Sequence, residues 1–274
     1  MGAAITLALV PSSTPGDSRF ALDSLCVALT KLLDTPVHGI NSGSYQDLAA
    51  ELEKDRVDYA WMSPTLMMLT NERIQLRPLL SAVRNDRVDY HGALFVDAAK
   101  EMYSLDDLRG KTIAWVDPTS AAGYLFPRVH MAARGCDPVN WFGKEIFVRS
   151  HADVVKAVLD GRADVGATYG EQPEPGEPIR RAGFIDVAPK HPIRVIEWSG
   201  PIPNDVIAGH GLLSKPEHRL FSNAILTLAE SEKGRRLLRK SFAADKFMTT
   251  PRNTLKPVQE LVEKARRSGV LPHL

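Results

Sequence analysis

The sequence predicts an α/β protein, with helices covering mostly parallel sheet, built as two similar lobes in tandem. Three observations lead there. Short apolar runs that suit buried parallel strands alternate with segments whose apolar residues recur at helical spacing. Runs end in turn- and cap-forming residues, such as Ser63-Pro64 and Asp117-Pro118-Thr119-Ser120. Two stretches also echo each other: Thr6–Val10 resembles Thr112–Val116, and Arg56–Ala60 resembles Arg162–Gly166, both 106 positions further on. Strand–loop units share a generic likeness that gives part of this echo; the constant offset is what a tandem of lobes adds.

Taken in order, Ile5–Val10 is a strand and Pro11–Asp17 a loop. Leu22, Leu25, Cys26, Leu29, Leu32 and Leu33 mark a helix. Val37–Ile40 is a short strand, and Tyr45, Leu48, Ala49 and Leu52 mark the next helix. Val57–Met62 is a strand ending at Ser63. Ala93–Val96 and Thr112–Val116 are strands; a helix follows the second through Ala133, with Pro127 expected to kink it. Val154, Val155, Val158 and Leu159 form a helix face, Asp164–Thr168 a strand, the proline-rich Glu171–Pro178 a surface loop, and Ile193–Trp198 a strand. From Lys215 the pattern turns helical, with one face at Leu220, Phe221, Ala224, Ile225 and Leu228 and another at Leu255, Val258, Leu261 and Val262.

Composition narrows the function. Lys and Arg total 34 against 33 Asp and Glu, a net charge of +1, so there is no basic excess to neutralise a nucleic-acid backbone. No apolar run approaches the roughly 18 residues of a membrane helix. Cys26 and Cys136 belong to no metal or redox motif and read as buried free thiols, with a disulfide staple the alternative, one that a chain of this size does not require. Ile5–Val10 is too short for a secretory leader and has no basic residue before it. Two locations stay open: the cytosol, or an extracytoplasmic compartment with the leader removed.

The residues that could carry chemistry sit at strand ends. Ligands of α/β lobes lie beyond the carboxyl ends of the strands. Two facing lobes would therefore gather the loops at Ser12, Ser63, Ser120 and Tyr169 around one cleft. Thr119-Ser120-Ala121-Ala122-Gly123 joins a strand to a helix, whose first amides have no internal partner and carry partial positive charge. With two hydroxyls and a glycine that admits close approach, the loop suits an anion; it also reads as an ordinary N-cap. His151 follows Ser150 at a helix start and could donate to an anion. Pro201-Ile202-Pro203-Asn204-Asp205 is stiff and fixes a carboxylate. Tyr45, Tyr90, Tyr124 and Tyr169 lie at or near loop ends, where each could wall a ligand or merely pack. The chain has no phosphate-loop, GxGxxG, HExxH or GxSxG pattern. No cofactor, metal site or catalytic residue is expected.

Together these residues resemble the phosphonate/phosphite-type periplasmic solute-binding proteins of ABC importers over nearly the whole chain. The strongest match is Gly110–Pro127, with its Gly-Lys, strand, Asp-Pro, hydroxyl and Gly-Tyr run. Val57–Pro64, Ser150-His151 and Ser199–Asp205 support it in the same order. The resemblance implies a type II periplasmic-binding-protein fold: two α/β lobes with mixed sheets around an interlobe cleft, closing by hinge motion. It implies a first lobe of residues 1–88 and 202–274 and a second of 89–201. By similarity Thr119, Ser120, the following amides and His151 hold the anionic group, while Asp205 and Tyr45 hold its other end; Tyr90 walls the pocket. It further implies an ABC permease as partner, a monomer, and a periplasmic or membrane-anchored location.

The sequence departs from the family where two further hydroxyls usually follow the first serine; here they are Ala121 and Ala122. Each hydrogen bond lost to a charged oxygen is worth about 1.5–3 kcal/mol. That favours a less hydrated anion, such as a carboxylate, aromatic ones included, over a doubly charged phosphonate. Two rivals share the fold: a cytosolic enzyme of the menaquinone-pathway type, using His151 and Asp205, and a sensor input module.

Overall fold

The computed structural model describes residues 4–9, 18–137, 139–244, 246–267 and 269–270. In chain order the elements are β1 (Ile5–Leu9), α1 (Ser18–Leu33), β2 (Val37–Asn41), α2 (Tyr45–Glu53), β3 (Tyr59–Met62), α3 (Pro64–Thr70), β4 (Leu76–Val83), β5 (Asp89–Asp97), β6 (Thr112–Trp115), α4 (Phe126–Ala133), β7 (Lys144–Phe147), α5 (His151–Leu159), β8 (Val165–Gly170), α6 (Gly183–Val187), β9 (Ile193–Pro203), β10 (Val206–His210), α7 (Lys215–Glu230), α8 (Glu232–Phe242), β11 (Lys246–Thr249) and α9 (Lys256–Arg267). Val10, the expected end of the first strand, and Ser12 lie outside the described residues.

The chain divides into two units, residues 1–88 with 204–255 and residues 89–203 with 256–274. The sequence reading places 202–274 wholly in the first lobe. Instead β9 continues to Pro203, and α9 groups with the second unit, where α4 and β9 are its neighbours. An amphipathic helix shows which face is apolar but not which sheet that face will meet.

The first unit holds a sheet ordered β11-β4-β10-β3-β1-β2. β1 pairs in parallel with β2 and β3, whereas β10 and β11 pair antiparallel with their neighbours. The sheet is therefore mixed rather than mostly parallel, and β11 interrupts the helical stretch expected after Lys215. The period of two along β1 and β3 feeds two cores. Leu7, Leu9, Tyr59 and Trp61 pack with Leu22, Leu25, Phe221 and Phe242 of α1, α7 and α8. Ala8, Ala60 and Met62 pack with Leu48, Leu52, Leu66 and Met67 of α2 and α3.

The second unit holds a sheet ordered β7-β6-β8-β5-β9, parallel across β7, β6 and β8 and antiparallel across β8, β5 and β9. Phe95, Ala114 and Val116 pack against Val154, Val155 and Val158 of α5 and Phe184 of α6.

The echo at 106 positions has a structural content. The Asp58 carboxylate accepts the Thr6 amide at 2.7 Å, and the Asp164 carboxylate accepts the Thr112 amide at 3.0 Å. Each aspartate thus fixes the start of a neighbouring parallel strand. The registers agree as well: Leu7 faces Tyr59 as Ile113 faces Val165, and Thr6 faces His38 as Thr112 faces Lys144. Ser44 caps α2 through the Asp47 amide as Ser150 caps α5 through the Asp153 amide. Tyr45 and His151 are therefore equivalent, each the first residue of a serine-capped helix.

Both cysteines are buried and free. Burial is the main cause that raises both thiols' pKa, Cys26 to about 11, with Asp23 adding to it there; this keeps them as inert thiols.

Candidate functional site

The ends of β6, β7 and β8 lie together because the three strands are parallel neighbours. After β6 the chain turns tightly. The Asp117 carboxylate accepts the Thr119 amide at 2.8 Å and the Thr119 hydroxyl at 2.7 Å, and its carbonyl accepts the Ser120 amide at 3.0 Å. Thr119 thus directs its hydroxyl hydrogen into the loop rather than towards a ligand. Asp117 belongs to the sequence motif, and the signal for its role is the tendency of an aspartate side chain to bond the backbone two residues on.

Ala121–Leu125 form a single π-helical turn that runs into α4. Its first bonds run from the Leu125 amide to the Ser120 carbonyl, at 2.9 Å, and from the Phe126 amide to the Ala121 carbonyl. The Gly123 amide is taken by the Ser120 hydroxyl oxygen at 3.2 Å. The amides of Ala121, Ala122 and Tyr124 are left without a partner inside the helix. The Ser120 hydroxyl accepts from Gly123 and keeps its own hydrogen to donate. The expected kink at Pro127 is absent as such: the proline sits in the first turn of α4, where a missing N–H costs nothing, and the irregularity precedes it as the π turn.

Gly123 is required here. A Cβ on it would lie 2.4 Å from Val116 Cγ2 and 2.8 Å from Ser120 Oγ, while its carbonyl accepts the Val116 amide at 3.2 Å. On the other side of the turn, a Cβ on Gly92 of β5 would lie 3.1 Å from the Ala122 carbonyl.

After β7, the Val148 and Arg149 amides bond to the carbonyls of Trp115 and Val116, and Ser150 caps α5. This places His151, half-buried, beside β8. Its Nδ1 lies 3.1 Å from Thr168 Oγ1, and its ring meets Tyr169 edge-on at 4.9 Å. Burial, with a smaller push from Arg181, lowers the imidazole pKa to about 4, so His151 is neutral at pH 7. The Tyr169 hydroxyl donates to Asp186, and the Arg181 guanidinium sits 5.0 Å over the Tyr169 ring. Arg181 also pairs with the buried Glu171 at 3.8 Å.

The other sequence-predicted residues fall as follows. Tyr124 is buried in packing: its ring meets Trp115 and Phe147, and its hydroxyl donates to the Val270 carbonyl at 3.2 Å. Tyr90 is half-buried on β5, opposite Ile202. In the first unit, Tyr45 opens α2, half-buried against the core of α2 and α3. Ser63 caps α3 by accepting the Leu66 amide at 3.2 Å. Asp205 accepts a hydrogen bond from Arg84 at 2.8 Å. Asn204 beside it bonds to Ala82, Arg87 and Arg84. Ser12 lies outside the described residues. Thr168, Arg181 and Arg84 were missed from sequence; a lone polar residue carries no periodicity that would mark it.

Among the described residues no group of His, Cys, Asp and Glu is arranged to hold a metal ion, and no helix is long and apolar enough to cross a membrane. The site offers fixed neutral donors: backbone amides, one hydroxyl and an uncharged imidazole. Such a set suits an oxyanion.

A family model described as the periplasmic substrate-binding protein of phosphonate ABC transporters matches residues 7–251. The phosphate-import protein PhnD of Mycolicibacterium smegmatis is 23% identical over 175 residues, which cover 60% of this chain and 54% of that protein. The chain thus spans about half the length of this curated relative. Among solved structures, a binding-protein component of an ABC phosphonate transporter from Pseudomonas aeruginosa superposes with a TM-score of 0.82 at 19% identity, covering 97% of this chain and 87% of the other. PhnD1 from Prochlorococcus marinus, in complex with methylphosphonate, superposes with a TM-score of 0.79 at 18% identity, covering 96% and 98%. These two establish the periplasmic-binding-protein-like fold. With the family model covering most of its length, the chain belongs to the phosphonate periplasmic substrate-binding proteins of ABC transporters.

Proposed function

We propose that this chain captures a small organic oxyanion for an ABC permease, as an extracytoplasmic monomer that releases its ligand chemically unchanged. The observation that carries this reading is the seat on the second unit: the amides of Ala121, Ala122 and Tyr124 left unused by their helix, beside a serine hydroxyl free to donate. Family membership supports the transport role. Phosphonate is the family's ligand class. The methyl groups of Ala121 and Ala122, with Thr119 bonded to Asp117, leave fewer hydroxyl donors than a doubly charged group would call on. The ligand we favour is therefore a singly charged oxyanion with an apolar substituent, a carboxylate, aromatic ones included, before a phosphonate dianion.

Calorimetry with methylphosphonate, phosphate, propionate and benzoate tests this. Measurable carboxylate binding is expected, and Ser120→Ala is expected to weaken the tightest member about tenfold or more, through a charge-assisted bond. Submicromolar methylphosphonate binding with no carboxylate binding would restore the phosphonate dianion. Unchanged affinity in Ser120→Ala would place the anion elsewhere.

A further inference from the structure

We propose that Thr168 is a positioning residue that sets the tautomer of His151, so that the imidazole presents Nε2–H to the anion as a neutral donor. This rests on the reading of the second unit as an anion seat. Thr168 lies on β8 and is 0% exposed. Its Oγ1 is 3.1 Å from His151 Nδ1, and no other side-chain partner of that hydroxyl is found among the described residues. A 3.1 Å contact fits either direction of donation, but the two are not equivalent. If Nδ1–H donated, the Thr168 hydroxyl hydrogen would be buried without an acceptor, and such a group carries its full desolvation penalty. If the hydroxyl donates to Nδ1, both groups are satisfied. The ring proton then sits on Nε2, which engages no protein group among the described residues.

The same arrangement disfavours the imidazolium, whose second N–H would turn the Thr168 hydroxyl into an acceptor and strand its hydrogen. Burial and the Arg181 guanidinium act in that direction too. The other groups facing the ring are Tyr169 at 4.9 Å and, through it, Asp186; Asp153 on α5 is engaged by Ser150. The site therefore attracts its ligand through hydrogen-bond donors whose protonation is constant from about pH 5.5 to 8, since a group pinned well below 6.5 does not titrate there.

The test is nitrogen NMR of the intact protein labelled in histidine, with His151 assigned by loss of its signals in His151→Ala. The expected result at pH 7 is the Nε2–H tautomer, unchanged from pH 5.5 to 8, moving to a mixture or to Nδ1–H in Thr168→Val. An Nδ1–H or mixed spectrum in the wild-type protein overturns the proposal, whether or not Thr168→Val folds. By calorimetry with methylphosphonate and benzoate, Thr168→Val should weaken the ligand that binds about tenfold, as expected for one charge-assisted bond, and Thr168→Ser should restore it. Equal affinities in Thr168→Val and wild type overturn the positioning role. The underlying reading fails separately: if His151→Ala binds as the wild type does, His151 is not part of the anion seat, whatever its tautomer.

Discussion

Gly123→Ala is expected to abolish tight anion binding and to cost the fold about 1–3 kcal/mol, the usual penalty for overpacking a filled site. The new methyl would overlap Val116, at 2.4 Å from Cγ2 and 2.7 Å from Cβ, and would press on Ser120 Oγ at 2.8 Å. None of these neighbours is free to withdraw. Val116 is 1% exposed and its amide is bonded to the Gly123 carbonyl; Ser120 is 3% exposed and holds the Gly123 amide. Relief must come from moving the π turn, which shifts the unused amides of Ala121 and Ala122. Loss of more than tenfold in affinity, over 1.4 kcal/mol, should accompany the drop in unfolding free energy read from denaturant titration. Wild-type stability and affinity together would show that the turn is not the tight element described.

Arg84→Met should give the largest loss of stability, about 2–3 kcal/mol, because a buried guanidinium shared by four acceptors is removed while the partly exposed Asp205 regains some solvent. Arg84 is 9% exposed and makes four hydrogen bonds: to Asp205, Asn204, and the carbonyls of Phe242 and Ala243. It therefore ties β4 to the end of α8 and to the loop before β10. Removing it leaves a carboxylate, the Asn204 amide oxygen and two carbonyls without their donor. Denaturant unfolding measures the loss, and Arg84→Met with Asp205→Asn should recover part of it, because neighbours in one network are not additive. A loss below 1 kcal/mol would mean that Asp205 is held by other contacts.

Much of the fold could be read because it depends on local pattern. The apolar runs of β1, β3, β6 and β8 and the period-3.6 faces of α1, α5 and α7 mark themselves. The Asp58 and Asp164 clasps explain why the aspartate recurs at the same offset. What was missed has physical reasons. β4 carries Pro78, which reads against a strand; it is tolerated beside the irregular register where β10 pairs with β4. β7 and β11 are four-residue strands that each begin with a lysine. The place of α9 depends on a tertiary choice that its amphipathic pattern does not encode. In the site, the serine cap, the glycine and His151 could be found because helix starts have a chemical signature. Thr168, Arg84 and Arg181 act through contacts distant in sequence, at 17, 121 and 10 residues from His151, Asp205 and Glu171.

The central claim is that free amides at the helix start beyond Ser120 hold the ligand. An amide proton–nitrogen correlation titration of the intact protein, with the tightest member of the anion panel, tests it most directly. The expected result is that the Ala121, Ala122 and Tyr124 amides move furthest and downfield, as donors to an oxyanion do. Saturable binding of that anion with these three amides unmoved would contradict the account.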